Sequence, residues 1–201
     1  SKNHLKSTST IKALIVNTGS ANAGTGDRGM EDAESVCEAL AVALKVTPNQ
    51  VLPFSTGVIM TPLPAGKIIK AIPDLVKGLE ENNWLGAAEA IMTTDTLPKA
   101  VSKSILIQDQ KVTITGISKG SGMIHPNMAT MLAFISTDAN ISQETLQILN
   151  KEITDTTFNC ISVDGDTSTN DSFIIAATNQ SKHSKIVKED DNYKVLKSAI
   201  F

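Results

Sequence analysis

The chain has 201 residues, 41% of them hydrophobic, with 18 Lys and Arg against 21 Asp and Glu for a formal net charge of −3. That length can bury a sizeable core, as one domain or one domain with a small second lobe. The near-balanced charge, with one Trp and one Tyr, excludes the basic patch and stacking surface of a nucleic-acid binder, and the apolar runs fall short of the ~20 residues of a membrane span.

Ser1 to Thr10 is polar throughout and does not resemble a secretory signal. Ile11 to Asn17 is an apolar run of strand length, followed by a Gly-, Ser- and Asn-rich loop. The spacing of Ala33, Val36, Cys37, Leu40, Ala41 and Leu44 predicts a helix from about Met30 to Val46, ended by Thr47-Pro48-Asn49. Val51 to Ser55 reads as a second strand leading into a Ser-Thr-Gly turn. Residues 64–80 and 83–92 read as helices, the first interrupted or kinked near Pro73. Val101 to Gln108 and Lys111 to Ser118 flank a short polar turn and read as a hairpin.

Thr130 to Thr137 is strand-like, and Leu146, Leu149 and Ile153 mark a helix for which Asn140 and Gln143 offer a capping-box start. Ser172 to Thr178 is the last apolar strand, and Ser181 to Asn192 reads as a charged loop. Tyr193, Leu196, Ile200 and Phe201 then recur at helical spacing, so an apolar face runs to the last residue without a cap. Strands and helices in alternation, with one hairpin, predict a mixed α/β (α+β) layer structure.

Cys37 and Cys160 are too few for a disulfide framework and read as buried small hydrophobes. His4, His125 and His183 are scattered in polar or turn-like contexts, so no metal site is expected. A reducing cytoplasm is the default for this cysteine usage.

Three motifs fail on context. Gly24-Thr-Gly-Asp-Arg-Gly29 fits the dinucleotide pattern, but seven residues separate Asn17 from Gly24 and no acidic residue ends a second strand about twenty residues on. It reads as a surface loop. Gly116-Ile-Ser-Lys-Gly120 fits a nucleophile elbow at Ser118, yet Gly122 and Pro126 oppose the helix that should follow, and His183 lies in a charged stretch. Asp164-Gly-Asp-Thr-Ser-Thr-Asn-Asp171 has alternating oxygens but Thr169 and Ile175 where a calcium loop needs Gly and Glu. It reads as a solvated turn, or as lining for a cationic amine.

The stretch from Lys119 to Leu132, Lys-Gly-Ser-Gly-Met-Ile-His-Pro-Asn-Met-Ala-Thr-Met-Leu, sets a threonine directly after a small residue between two strand-like runs. Ala129-Thr130 can be no more than a common dipeptide. If the Thr130 hydroxyl attacks the Ala129 carbonyl and the ester hydrolyses, however, Thr130 becomes a new N-terminus. Its free amine, of reference pKa roughly 7.7–8.0, can then take the hydroxyl's proton without a histidine.

That stretch resembles the self-cleavage region of the ornithine acetyltransferase family, the glutamate N-acetyltransferases of the arginine pathway. Asn17-Thr-Gly-Ser-Ala-Asn-Ala-Gly-Thr-Gly26, Ser55-Thr-Gly-Val-Ile59, Thr93-Thr-Asp-Thr96 and Val163-Asp-Gly-Asp-Thr-Ser-Thr-Asn-Asp171 resemble further blocks of the same family in the same order. The resemblance implies sheets sandwiched between helices, a fold shared with certain self-cleaving aminopeptidases. It implies a central portion of one acetyltransferase domain, since members are about twice this long, lacking a short N-terminal and a long C-terminal part. Residues 1–129 would be most of an α chain and 130–201 the start of a β chain, paired in a heterotetramer. Neither piece would fold alone, because strands on both sides of the cut share one core.

The implied reaction is ping-pong: Thr130 takes the acetyl group from N2-acetylornithine and passes it to glutamate. No cofactor is implied, although some members use acetyl-CoA as donor. Thr56 and Gly57 are the candidate oxyanion donors, the glycine for its backbone freedom and the threonine for a hydroxyl. Thr93 and Lys119 match substrate-binding positions, Lys119 for a carboxylate and Thr93 for an amide or backbone group. Taken alone, the Ser-Thr-Gly is a turn, Lys119 a surface charge and Thr93 a hydroxyl at a helix end. Met60 stands where many members have Gly, and the family's remaining substrate contacts would lie beyond Phe201. Two other readings stay open: an aminopeptidase or amidase with the same Thr130 nucleophile, and a non-catalytic domain whose Gly-rich loops hold a small anion.

Overall fold

Apolar runs and helical stripes resolve, in the computed structural model, into two units, Ser1–Asn83 and Trp84–Phe201. The structure describes residues 1–8, 10–125, 131–188 and 190–201. The architecture is the mixed α/β one expected.

In the first unit β1 (Ala13–Ser20) and β2 (Val51–Val58) pair in parallel, from Ala13 beside Val51 to Gly19 beside Gly57. Both strands outrun their sequence-based limits. The apolar runs stop at Asn17 and Ser55, but the backbone ladder continues through the glycines, so Thr56-Gly57 lies in a strand and the turn falls at Ile59 and Met60. α2 (Gly26–Leu44) begins four residues before Met30 and buries Val36, Cys37, Leu40 and Ala41, the expected stripe. Gly24 just ahead of it and Gly26 at its first position supply positive φ angles of 70° and 61°. Gly29 is buried within its first turn, where a Cβ would meet the Thr25 and Asn22 side chains. The glycines therefore build a tight helix entry rather than a loose surface loop. α3 (Ala65–Lys77) carries Pro73 inside it and closes the core of this unit with Leu63 and Ile72.

The polar N-terminus forms α1 (Lys2–Ser7), an element the sequence does not announce. Long-range bonds fix it: Ser1 Oγ donates to the Pro53 carbonyl and His4 Nδ1 to the Val51 carbonyl, both at 2.7 Å.

The second unit holds α4 (Trp84–Ala90) and a four-stranded sheet in the order β3-β4-β5-β6. β3 (Lys99–Ile107) and β4 (Gln110–Lys119) are the predicted hairpin. Its two-residue turn, Gln108-Asp109, has φ of 49° and 60°, which matches the right-handed strand twist without the usual Asn-Gly. β4 pairs antiparallel with β5 (Leu132–Thr137), which pairs in parallel with β6 (Ser172–Ala177). The crossover between them carries α5 (Gln143–Thr156), capped by Ser142, whose Oγ accepts the Thr145 N–H at 3.2 Å. Asn140, the expected cap, instead bonds His183.

The presumed charged loop after β6 is partly core. Ile186 is fully buried and bridges Ile141, and His183 is 3% exposed. His183 Nε2 accepts the Asn140 N–H at 3.1 Å while Nδ1 donates to the Ser184 carbonyl at 2.7 Å. α6 (Asp191–Ile200) is tied to α5 through Glu152, which accepts from Tyr193 Oη and Lys197 Nζ. Cys37 is buried as expected, but Cys160 is exposed, in a 3-10 turn after α5.

Candidate active site

β4 ends where β5 and β6 begin. Register therefore sets Lys119 beside Leu132, and Leu132 beside Ser172, at one end of the four-stranded sheet. Lys119, last in β4, is 3% exposed and so is not the surface charge its type suggests. Its surroundings carry the compensating charge: Asp95 and Asp171 act on it electrostatically in one sense and Lys99 in the other. Burial draws the Lys119 pKa below its ordinary value, and the two carboxylates oppose that shift.

Asp95 ties this end together. Its side chain is fully buried, forms an ion pair with Lys99 at the start of β3, and accepts the Gly120 N–H at 2.8 Å and the Thr93 N–H at 3.4 Å. Burial alone would raise its pKa, but the bonds from Lys99, Gly120 and Thr93 together hold it below the usual carboxylate value. Thr93 is exposed, in the bend after α4, and its neighbour Thr94 shares a hydroxyl–hydroxyl bond of 2.7 Å with Ser121. Asp95 thus takes the Thr93 N–H and acts electrostatically on Lys119, a link that sequence reasoning did not single out. The only signal for Asp95 is its place inside the Thr93-Thr-Asp-Thr96 block.

The 164–171 loop meets the same end of the sheet. Asp164 accepts the Met123 N–H and the Ile124 N–H, the latter at 2.8 Å, and Val163 N–H donates to the Ile124 carbonyl at 2.8 Å. At the other end of the loop Asp171 Oδ1 accepts the Met131 N–H at 2.9 Å, and Ser172 N–H donates to the Met131 carbonyl at 3.1 Å. Hydrogen bonding, first from Met123, lowers the Asp164 pKa, whereas burial raises that of Asp171. Of the oxygens that the sequence offers to a cationic amine, both of Asp164 and Oδ1 of Asp171 are here engaged by backbone amides.

In the first unit Thr56 is 1% exposed, and Gly57 has a φ of 133°. A Cβ on Gly57 would stand 2.4 Å from the Gly19 carbonyl carbon, so the position accepts no side chain while β1 and β2 stay paired. Ser55 Oγ donates to Asn17 Oδ1 at 2.7 Å, and Asn17 Nδ2 donates to the Ser20 carbonyl at 2.9 Å, bracing both strands just before the glycines. Met60 has a φ of 61° and is exposed, its N–H donating to the Ala23 carbonyl at 2.8 Å. That left-handed backbone is the conformation a glycine adopts without cost.

Ala129 and Thr130, the proposed cleavage pair, lie outside the described residues, together with residues 126–128. Met131, the next residue, is buried. Ser118 sits in the interior of β4, paired with Lys99 and Ala133, so it is not on an elbow, and both His183 nitrogens are engaged by backbone.

Comparison with known proteins gives a consistent result. A family model described as the ArgJ family matches residues 1–201. An arginine biosynthesis bifunctional protein ArgJ of Neisseria gonorrhoeae is 55% identical over 201 residues, 99% of this chain and 48% of the relative. One from Colwellia psychrerythraea is 55% identical over 181 residues, 90% of this chain and 43% of the relative. The chain thus spans about half the length of the curated relatives it matches. Among solved structures, an arginine biosynthesis bifunctional protein from Bacillus halodurans aligns with a TM-score of 0.58 and 36% identity, covering 64% of this chain and 67% of that one. An ornithine acetyltransferase from Mycobacterium tuberculosis, complexed with ornithine, aligns with a TM-score of 0.53 and 31% identity, covering 63% and 67%.

Proposed function

The chain belongs to the ArgJ family, and from that premise we propose that it carries the self-processing and acetyl-accepting part of a cytoplasmic enzyme moving acetyl from N2-acetylornithine to glutamate in arginine biosynthesis. The Thr130 hydroxyl adds to the Ala129 carbonyl, the C–N bond breaks as the nitrogen takes up a proton, and an ester replaces the amide. Water hydrolyses the ester, leaving an Ala129 carboxylate and a Thr130 that carries both a hydroxyl and a free amine.

In the mature enzyme the amine accepts the hydroxyl's proton as Thr130 attacks the acetyl carbonyl. Ornithine leaves with a proton on its nitrogen, and glutamate then attacks the acetyl-Thr130 ester. Thr56 and Gly57 are assigned to the oxyanion, a role in which one donor is worth about 2.7–4 kcal/mol. Lys119 is assigned to the substrate carboxylate and Thr93 to its amide or backbone. Residues 1–129 and 130 onward stay associated as α and β chains of a heterotetramer, with acetyl-CoA as an alternative donor in members that use it.

The observation that supports this reading best is the burial of Lys119. A cation eleven residues before Thr130 in sequence lies in register with Leu132, two residues after it, where Asp95 and Asp171 both act on it electrostatically. Its test uses the full-length product of the gene, wild type beside Thr130→Ala. Intact mass should show two fragments, one beginning at Thr130, in the wild type alone. Acetylglutamate should then form from N2-acetylornithine and glutamate. Fragments with acetate released to water instead would assign the same nucleophile to an amidase, and an uncut wild type would defeat the reading.

A further inference from the structure

The 164–171 loop holds the chain on both sides of the segment that contains the Ala129–Thr130 bond. Asp164, at one end, takes the backbone N–H groups of Met123 and Ile124. Asp171, at the other, takes that of Met131. Backbone bonds reinforce each grip, Val163 N–H to the Ile124 carbonyl and Ser172 N–H to the Met131 carbonyl. Neither carboxylate is assigned a step in the reaction set out above, although Asp171 also acts electrostatically on Lys119, and a merely solvated acidic turn would not spend three side-chain acceptors on one short stretch of backbone.

We propose that Asp164 and Asp171 are positioning residues for self-cleavage, a two-point clamp fixing the chain before and after the scissile bond. The inference rests on the self-cleavage reading.

Attack by a hydroxyl on the carbonyl of its own preceding peptide needs a near-attack geometry that a free loop seldom visits, and small misplacements cost large factors in rate. The N–H that Asp171 holds belongs to the planar peptide joining Thr130 to Met131, so the clamp acts one covalent unit from the nucleophile. Hydrogen bonds to a charged acceptor are the stronger kind, which suits carboxylates to this task better than the hydroxyls and amide between them in the loop. After the cut the same bonds run between two polypeptides, since Asp164 belongs to the second piece and Met123 and Ile124 to the first.

The test follows the rate at which full-length precursor becomes two fragments, by intact mass, in wild type, Asp164→Ala, Asp171→Ala, Asp164→Asn and Asp171→Asn, with Asp166→Asn as a control within the loop. The Ala variants should be processed about tenfold to a hundredfold more slowly. Asp171→Asn should regain most of the rate because its amide oxygen accepts the Met131 N–H, Asp164→Asn should regain part of it because one oxygen replaces the two that take Met123 and Ile124, and Asp166→Asn should match wild type. Rescue by Asn separates positioning from misfolding, as does faster amide exchange at Met123, Ile124 and Met131 in Ala variants that retain native circular dichroism. Ala variants processed at the wild-type rate, or Asp171→Asn as slow as Asp171→Ala, overturn the clamp while leaving self-cleavage in place. An uncut wild type, or a cut Thr130→Ala, takes down the underlying reading and the clamp with it.

Discussion

Gly57 lies so close to Gly19 across the β1–β2 pair that a Cβ on Gly57 would come within 2.4 Å of the Gly19 carbonyl carbon. The contact is with backbone, which cannot rotate away, and Gly57 also has a φ of 133°. Gly57→Ala should therefore cost about 2–4 kcal/mol, combining strain and overpacking. Gly19→Ala meets nothing within 4 Å despite its φ of 101° and should cost only the strain, about 1–2 kcal/mol. Denaturant midpoints of the two variants test the order, and equal losses would show that the close approach is not what fixes Gly57.

Asp95 and Asp171 should respond to acid in opposite senses. The Asp95 pKa is depressed below 3.8, so its contribution is present above that pH and is lost as pH falls through the folded value. Asp171 is raised above 3.8, so it stabilises the fold most below that pH, and the contribution fades as pH rises through its folded value. Asp95→Asn should lower stability at pH 7 by about 1.5–3 kcal/mol and flatten the acid limb. Asp171→Asn should steepen it. Urea unfolding across pH 2–7 reads both, and parallel curves for the two variants would contradict the assignment.

His183 is a buried acceptor for the Asn140 N–H. His183→Ala leaves that donor without its partner, at a cost of about 1–3 kcal/mol. Amide exchange should accelerate at Asn140 before it does in β5. A variant as stable as wild type would mean that water replaces the ring.

The Gln108-Asp109 turn can be improved at one position only. Both residues have positive φ, which favours Gly at the second position of such a turn. Asp109→Gly should stabilise by about 0.5–1 kcal/mol. Gln108→Asn should not, because the Gln108 amide reaches Ser184, donating to its Oγ at 2.7 Å and accepting its N–H at 2.9 Å. Thermal melts of the two single variants separate the local backbone effect from the long-range bond.

What the sequence made legible was whatever repeats at short range. The α2 stripe, the hairpin and the strand at Ser172 all follow from local pattern, and β1 and β2 run past their expected ends because backbone pairing outlasts the apolar run, as at Thr18-Gly19 beside Thr56-Gly57. What stayed hidden was settled by partners distant in sequence. Lys119 reads as a surface charge until Asp95 and Asp171 are brought beside it, and His183 reads as part of a polar loop until Asn140 and Ser184 occupy its ring. Ser142 displaces Asn140 as the α5 cap for the same reason, since Asn140 is already engaged by His183. The family blocks include Asp95, Asp164 and Asp171 but do not announce the backbone N–H groups that these carboxylates hold.

The pairing of β4 with β5 has a consequence for the order of events during synthesis. The β3–β4 hairpin leaves the ribosome first and can close locally, but the outer edge of β4 waits for a strand encoded after the link at residues 120–131. Val112 and Ile114 on β4 share their core with Ala133, Leu149 and Phe173 from beyond that link. A chain severed too early would present a bare sheet edge and half a core, the pairing surface that leads to aggregation. A nascent chain with the link intact carries its own β5 to that edge at high effective concentration. Continuity of the link thus protects the chain while it is being made, and the proposed self-cleavage is compatible with this fold only once β5 has docked.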